Sequence, residues 1–159
     1  DLLPDGDRVP VWPVGYCGSI SHARCAGASL CAAAVAPSNV CRSLGVDVEC
    51  DAPLAPPVAR RVVTASEWRQ LAGRGLDPGE LAVAVFAAKE AVYKAQFPMT
   101  RRFLDFPDVQ IDLDAGTIHN ITQGTMTTFE MWPDHKAIFK QGGMVGRVRA
   151  HLEEILQAS

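Results

Sequence analysis

Short apolar runs separated by turn residues dominate the first third of the chain. They predict strands at Val14–His22, at Ala26–Ala36 and at Leu44–Glu49. The small apolar residues of Ala26–Ala36 predict a strand that is packed on both faces, and the Pro-Ser-Asn that follows it predicts a hairpin turn. In Leu44–Glu49, valines and acids alternate, so the acidic side chains share one face of the strand.

The middle of the chain has helical spacing instead. Val58–Val63 predicts a short helix, and the capping box Thr64-Ala-Ser-Glu67 opens a second one. A long helix is predicted to begin at the N-cap Asp77 and to end at Pro98, because proline has no N–H to donate. Its stretch Leu81–Ala88 is apolar or small on every side, which is typical of a buried helix.

Alternating patterns return in the last third. They predict strands at Val109–Leu113, Thr117–Ile121, Met126–Met131 and Lys136–Phe139. The tail Val145–Leu156 fits either a helix or two short strands. With strands early and late around a central helical pair, the predicted class is α+β.

Composition indicates a folded, soluble protein. The chain has 159 residues, 48% hydrophobic and 21% charged, which is enough for one domain with a core of its own or for two small halves that share a core. Residues 1–13, rich in Pro, Asp and Gly, read as an irregular lead-in to a domain at 14–159. The net charge of −3, with Lys and Arg scattered, argues against a nucleic-acid surface. Without a long apolar run or a basic leader, we expect a cytoplasmic, monomeric protein that does not span a membrane.

The cysteines contain no Cys-x-x-Cys pair, which disfavours a zinc site. His22 alone does not supply the missing ligands, and taken by itself it is more typical of a structural histidine. We therefore expect small buried thiols in a reducing compartment. The cysteines are Cys17, Cys25, Cys31, Cys41 and Cys50.

Three residues of the long predicted helix form one stripe. Phe86, Glu90 and Lys94 are spaced at i, i+4 and i+8, and Lys89 lies beside them. One interpretation is a solvent-facing Glu–Lys pair, worth about 0.2–0.5 kcal/mol to the helix. The apolar flanks favour a buried position instead, where these charges need partners from other elements.

The acids of the third predicted strand offer such partners. Asp47 and Glu49 share one face of that strand, and on their own they fit the solvated face of an edge strand equally well. If they meet Glu90, three carboxylates repel one another, and a hard divalent cation removes the conflict. Mg²⁺ prefers oxygen ligands and commonly bridges phosphates, whose remaining charge Lys89 and Lys94 can neutralise. The set therefore predicts a site for Mg²⁺ and a pyrophosphate.

Three motifs of this chain belong together, namely Gly18-Ser-Ile-Ser-His22, Gly45-Val-Asp-Val-Glu49 and Phe86-Ala-Ala-Lys-Glu-Ala-Val-Tyr-Lys94. In their order and spacing, they resemble the signatures of 4′-phosphopantetheinyl transferases. The nearest type is the surfactin and enterobactin synthetase group. Trp12-Pro13 and Leu104-Asp-Phe-Pro-Asp108 are similar to its enterobactin branch. The resemblance implies the α+β transferase fold, an antiparallel sheet with a packed helical pair, forming most of one pseudo-twofold fold.

The resemblance also implies a reaction. The phosphopantetheine arm of coenzyme A would pass to a serine of an apo acyl, aryl or peptidyl carrier protein, with release of adenosine 3′,5′-bisphosphate, as in siderophore, nonribosomal peptide or polyketide biosynthesis. Glu90 and Lys94 would be the catalytic residues, and either Glu90 or a metal-bound water would take the proton of the serine. By matching positions, Mg²⁺ would be held by Asp47, Glu49 and Glu90, the pyrophosphate by Lys94 and Lys89, and the 3′-phosphate by Ser21 and His22.

Two departures from the family pattern leave alternatives. Ala87 stands where the family usually has Ser, Thr or Cys, which resembles the holo-acyl-carrier-protein synthase type. That type lacks the Gly-Ser-x-Ser-His segment and is therefore the second choice. Related proteins also carry a further stretch before the Trp-Pro, so we expect this chain to continue a longer one. The remaining alternative is a catalytically incomplete module that binds coenzyme A or a nucleotide.

Overall fold

The computed structural model describes residues 4–50, 52–72, 77–112 and 115–128. The chain divides into two compact units, the first comprising 1–52 and 83–106 and the second 53–82 and 107–159. Antiparallel strands and helices occur together, which confirms the predicted α+β class. Among the residues described, no helix has the length and apolar character needed to cross a membrane.

Antiparallel pairing organises the strands of both units. In the described residues, β1 and β2 form a hairpin in the first unit, and β3, β4 and β5 form a meander in the second. The strands are β1 (Tyr16–Cys25), β2 (Ala28–Pro37), β3 (Val109–Asp112), β4 (Thr117–Asn120) and β5 (Thr125–Thr128). The helices are α1 (Pro56–Val62), α2 (Ala65–Leu71) and α3 (Pro78–Thr100), with a 3₁₀-helix at Phe106–Asp108.

The hairpin predicted at the turn after Ala36 is wrong for the described structure, because the strand before that turn pairs with β1 instead. Cys25 pairs with Ala28, and Gly27 takes a left-handed conformation at φ +81° that favours glycine. The residues of β2 are exposed or half-buried, so the prediction that this strand is packed on both faces is wrong. Small side chains such as alanine fit exposed and buried positions alike, and they carried no information about burial.

The predicted strand at Leu44–Glu49 is extended but joins no sheet in the described structure. Its amides at Val46 and Val48 donate to the side-chain hydroxyls of Ser19 and Ser21, at 3.0 and 3.3 Å. Serine side chains of β1 thus replace the backbone ladder that a strand would need. The prediction of a strand is wrong, although the alternation of side chains that it assumed is present.

Capping at the starts of α2 and α3 follows the prediction. Thr64 Oγ1 accepts from the N–H of Glu67 at 3.3 Å, and Glu67 Oε2 accepts from the N–H of Thr64 at 2.8 Å. Glu67 is buried, and its Oε1 accepts from the N–H of Ile111, which ties α2 to β3. At α3, Asp77 Oδ1 accepts from the N–H of Gly79 at 2.8 Å.

Helix α3 runs past the proline at which it was predicted to end. Pro98 lies inside the helix, which ends at Thr100. The N–H of Arg101 still bonds to the carbonyl of Phe97 at 2.9 Å, while Arg101 itself turns left-handed at φ +55°. Proline removes one hydrogen bond, and in the last turn this loss is confined to a single step of the ladder.

The second unit buries apolar residues from its helices and from β3. The predicted strands at Val109–Leu113 and Thr117–Ile121 are confirmed as β3 and β4 within one residue, and β5 lies in the region predicted from Met126 onward. The predictions at 136–139 and at 145–156 fall outside the described residues. The buried apolar residues of this unit are Ala59, Val62, Val63, Leu81, Ala82, Val109 and Ile111.

The cysteines differ from the prediction of free, buried thiols. Cys25 and Cys50 form a disulfide that joins the end of β1 to the end of the extended segment. Cys17 and Cys41 are free and half-buried, with their sulfur atoms 3.4 Å apart. Cys31 is free and exposed on β2. Cysteines in the described structure therefore pair across the first unit, at positions 24 and 25 residues apart, which local spacing does not reveal.

Candidate active site

A cleft of about 520 Å³ lies in the first unit, between β1, the extended segment 45–49 and α3. It brings together most of the polar residues that the sequence singled out. Those that line it are Ser21, His22, Asp47, Glu49, Glu90 and Lys94. Aromatic side chains of α3 form an apolar part of its wall, namely Phe86, Tyr93 and Phe97.

Asp47 is the most enclosed acid of the cleft, with its side chain 4% exposed. Its Oδ1 accepts hydrogen bonds from Ser21 Oγ at 2.7 Å and from Lys94 Nζ at 2.5 Å. Its Oδ2 is buried and has no hydrogen-bond partner among the described atoms. A buried carboxylate oxygen without a partner is costly, so this atom is well suited to accept a cation or a donor from a ligand.

Ser21 supports Asp47 from β1. Besides donating to Asp47, its hydroxyl accepts from Lys94 Nζ at 3.0 Å and from the N–H of Val48 at 3.3 Å. The hydroxyl is therefore engaged inside the protein, where it orients the acid. The resemblance implied that Ser21 and His22 both contact a phosphate; His22 is exposed and lines the cleft.

Lys94 bonds to Asp47 and not to the glutamate one turn before it on α3. This contact, across 47 residues of sequence, shows that the interpretation as a surface Glu–Lys pair is wrong. Lys94 remains partly accessible, with 27% of its side chain exposed, and it lines the cleft. Its charge is thus positioned both to balance Asp47 and to meet an anionic ligand.

Close packing of glycine on α3 sets the position of the extended segment. A Cβ atom at Gly45 would lie 1.8 Å from the carbonyl oxygen of Ala91 and 2.9 Å from the backbone nitrogen of Ala95. Only a residue without a side chain allows this approach. Because Asp47 follows two residues later, this contact fixes the distance between the acid and the helix that carries Glu90.

Burial and mutual repulsion raise the pKa of two acids in the cleft. For Glu90 the pKa is raised first by burial, then by the charges of Asp47 and Glu49, and Lys94 opposes part of the effect. The pKa of Glu49 is raised by burial and then by Asp47. In both cases burial first, and the neighbouring acids second, disfavour the charged form of the glutamate.

Replacing Glu90 with glutamine is expected to stabilise the metal-free protein, raising its Tm at pH 7 by about 2 °C. Because the carboxyl pKa is higher in the folded state, the folded protein loses stability as the pH rises from the unfolded value through the folded one. Glutamine carries no charge, so the variant does not lose this stability as the pH rises. The difference in Tm between the two proteins should therefore shrink as the pH falls toward 4.5, the ordinary pKa of a glutamate.

Thermal melts of both proteins between pH 4 and 8, in the presence of a chelator, would measure this effect. Glu80→Gln is the matched control, because Glu80 is an exposed acid in the first turn of the same helix. A variant at position 90 that melts below the wild type at pH 7, or a difference independent of pH, would contradict the expectation.

The acids of the cleft suit a hard cation chemically. Asp47, Glu49 and Glu90 offer carboxylate oxygens, and the unpartnered Oδ2 of Asp47 is a ligand atom that the protein leaves unsatisfied. In the described residues, no three acidic, histidine or cysteine side chains are close enough to enclose an ion by themselves. Mg²⁺ usually takes one or two carboxylates and completes its shell with water and phosphate oxygens, so it does not require all three acids as ligands at once.

Lys89 does not line the cleft. It is 2% exposed, and its Nζ donates to the carbonyl oxygen of Phe106 at 3.0 Å. The ring of Phe106 also lies 5.5 Å from that of Phe86. The predicted phosphate contact of Lys89 therefore has no support in the geometry.

The turn near the N-terminus also contributes to the cleft and was missed by the sequence analysis. Asp7 and Arg8 line the cleft, and Arg101 at the end of α3 bonds to Asp5 at 2.7 Å and to Asp7 at 3.0 Å. The N–H groups of Asp7 and Val9 donate to Asp5 Oδ1, which closes the turn locally. The Asp-Gly-Asp sequence was a turn signal, but nothing local indicated its partner on α3.

Comparison with known proteins agrees with the motifs. A family model described as the 4′-phosphopantetheinyl transferase superfamily matches residues 43–144, and one for the N-terminal domain of these transferases matches residues 1–36. The chain is 39% identical over 120 residues to 4′-phosphopantetheinyl transferase Svp of Streptomyces mobaraensis, covering 73% of this chain and 47% of that protein.

Two further relatives are matched over a similar share of their own length. 4′-Phosphopantetheinyl transferase Npt of Nocardia iowensis is 38% identical over 69% of this chain and 47% of its own length. Enterobactin synthase component D of Escherichia coli O157:H7 is 32% identical over 70% of this chain and 52% of its own. The chain thus spans about half the length of the curated relatives it matches. These matches confirm the resemblance read from the three motifs.

Proposed function

Because the chain belongs to the 4′-phosphopantetheinyl transferase superfamily, we propose that the protein transfers 4′-phosphopantetheine from coenzyme A to a serine of an apo carrier protein. The second product is adenosine 3′,5′-bisphosphate. The observation that carries the proposal is the cleft in which the acids at 47, 49 and 90 and the lysine at 94 meet. The carrier belongs to the acyl or peptidyl class, as in siderophore or nonribosomal peptide biosynthesis.

Asp47, Glu49 and Glu90 are the residues that would hold Mg²⁺ in this proposal. When bound, the ion supplies positive charge that neutralises the pyrophosphate and stabilises the charge of the transferring phosphoryl group. Three features support the assignment: the oxygen-only donor set, the unsatisfied Oδ2 of Asp47, and the raised pKa values of both glutamates. A cation bound here would give Asp47 Oδ2 a partner and would reduce the repulsion between the carboxylates.

Lys94 and His22 bind the phosphates of coenzyme A in this proposal. The ammonium of Lys94 neutralises the pyrophosphate, and its place beside Asp47 keeps it in the cleft before the substrate binds. His22 is exposed at the end of the cleft that β1 forms, and it contacts the 3′-phosphate of the ribose. Phosphoryl transfer depends mainly on such positioning and charge neutralisation.

Glu90 is the proposed base. Its half-buried side chain lines the cleft, which is where a general base for the carrier serine must lie. It accepts the proton of the carrier serine while the serine oxygen forms a bond to the phosphorus that carries the pantetheine arm. The bond from that phosphorus to the bridging oxygen breaks, and adenosine 3′,5′-bisphosphate leaves with the electron pair. A water molecule that takes the proton instead is the alternative.

Intact-mass measurement of an apo carrier protein, mixed with this chain and coenzyme A, tests the proposal. We expect a gain of one phosphopantetheine arm in the presence of Mg²⁺ and none with a chelator. If several acyl and peptidyl carriers gain nothing although coenzyme A binds, the transfer reaction is wrong for this chain, and a module that only binds coenzyme A takes its place.

Replacing His22 with alanine is expected to weaken coenzyme A binding about tenfold and to leave 3′-dephospho-coenzyme A binding unchanged. A hydrogen bond to a charged group contributes about 1.5–3 kcal/mol, and only the first ligand carries the phosphate that makes it. Calorimetric titration of both ligands measures the difference. His119→Ala, in the second unit, is the matched control and should bind both ligands as the wild type does. An equal loss of affinity for both ligands would show that His22 does not contact the 3′-phosphate.

A further inference from the structure

One face of β1 holds the segment that carries two of the cleft acids. Side chains two residues apart in a strand project from the same face. Four residues on this face of β1 contact the segment 41–50, and residues later in β1 contact residues later in the segment. Cys17 meets Cys41, Ser19 meets Val46, Ser21 meets Val48, and Cys25 meets Cys50. The two stretches therefore run side by side, and side chains of β1 join them.

These four contacts differ in strength. The two serine contacts are single hydrogen bonds of 3.0 and 3.3 Å. The Cys17 and Cys41 sulfur atoms lie 3.4 Å apart as free thiols, and burial followed by Cys41 raises the pKa of the Cys17 thiol, which keeps it in its unreactive form. Cys25 and Cys50 alone form a covalent link among these contacts. The disulfide is thus the covalent anchor of the segment directly after the acids, while Gly45 packs on α3 before them.

Glu49 depends on that link more than Asp47 does. Asp47 is bonded to Ser21 and Lys94, whereas the side chain of Glu49 makes no hydrogen bond or ion pair within the described part of the chain. Its neighbours in sequence are restrained, Cys50 by the disulfide and Val48 by a single hydrogen bond to Ser21.

We propose that the Cys25–Cys50 disulfide is a redox-dependent positioning link, which holds Glu49 and the segment before it at the cleft when oxidised and releases them when reduced. The part that concerns ligand affinity rests on the proposed function. A dithiol reductant supplies two electrons and two protons: the sulfur–sulfur bond breaks, Cys25 and Cys50 become thiols, and the reductant becomes a disulfide. Reduction leaves the segment held by the packing of Gly45 on α3, by the hydrogen bonds of the serines and of Lys94, and by the contact of Cys17 with Cys41.

Hydrogen–deuterium exchange of the metal-free chain tests the positioning directly. The reporters are the amides of Val46 and Val48, because each is protected by a serine hydroxyl and not by a sheet ladder. We expect these amides to exchange about tenfold faster after treatment with dithiothreitol. Mass measurement after thiol alkylation establishes the redox state. Equal exchange in the oxidised and reduced proteins would overturn the proposal.

Two variants separate the link from a general effect of reduction. The double variant Cys25→Ser with Cys50→Ser should exchange at the reduced rate in both conditions. Cys31→Ser, which removes an exposed thiol of β2, should respond to reductant as the wild type does. If the double variant does not fold, the reduced wild type still provides the comparison. A double variant that keeps the oxidised rate would also overturn the proposal.

Calorimetric titration with coenzyme A and Mg²⁺ then tests the consequence for the site. Outer groups that orient metal ligands typically change affinity by 10–100-fold, and we expect coenzyme A to bind about tenfold more weakly to the reduced protein. Equal affinity in both redox states would overturn the link to the site while leaving the proposed function intact. No coenzyme A binding in either state would overturn the proposed function and the affinity part together, and the exchange result would still decide the positioning part.

Discussion

Replacing Asp47 with asparagine is expected to lower Mg²⁺-dependent phosphopantetheine transfer by at least about 100-fold, while the protein remains folded. Asparagine keeps the shape of the side chain and an oxygen that can accept from Ser21. It loses the negative charge that attracts a cation, and a neutral amide is a poor ligand beside two glutamates. The unpartnered Oδ2, the atom best placed to bind an ion, also disappears.

Stability should change little in this variant because two effects oppose each other. The variant loses the ion pair between Asp47 and Lys94, which stabilises the folded protein. It also removes a charge that raises the pKa values of Glu49 and Glu90, so repulsion in the cleft decreases. We therefore expect a Tm within about 3 °C of the wild type.

Three measurements on the same preparation decide this prediction: transfer by intact mass, Mg²⁺ binding in the presence of coenzyme A, and a thermal melt. Glu80→Gln serves as the control for loss of an acidic charge outside the cleft and should retain full transfer. A variant at position 47 that transfers at the wild-type rate and still requires Mg²⁺ would rule out Asp47 as a ligand.

Replacing Gly45 with alanine is expected to destabilise the protein by about 2–4 kcal/mol and to weaken coenzyme A binding as well. The added Cβ would lie 1.8 Å from the carbonyl oxygen of Ala91 and 2.8 Å from its carbonyl carbon. These are backbone atoms inside α3, which cannot rotate away as the end of a side chain can. The segment must therefore move, and it carries Asp47 two residues later.

Gly6→Ala is the matched control for this substitution. A Cβ at Gly6 meets no atom within 4 Å, so its Tm and its affinity for coenzyme A should equal those of the wild type. Chemical denaturation gives the free energy of unfolding for both variants, and calorimetry gives the affinities. A position-45 variant with wild-type stability would show that the extended segment does not pack on α3 at the distance described here.

Local patterns in the sequence determined the elements and the direction of several side chains. Alternation placed Asp47 and Glu49 on one face of an extended segment, and helical spacing placed Glu90 and Lys94 on neighbouring turns of α3. The N-cap at Asp77 was likewise read correctly from its own few residues. Such features depend on dihedral angles and hydrogen bonds within a single turn or strand, so the sequence around them is sufficient.

Only the tertiary structure decided which of these side chains meet. Ser21, Asp47 and Lys94 form one hydrogen-bonded group although they are 26 and 47 residues apart, while Lys89, next to Glu90, is turned toward Phe106 and away from the cleft. The disulfide of Cys25 with Cys50 was predicted as two free thiols for the same reason. Contacts between distant segments are selected by how whole elements pack, and a residue's neighbours in sequence carry no record of that packing.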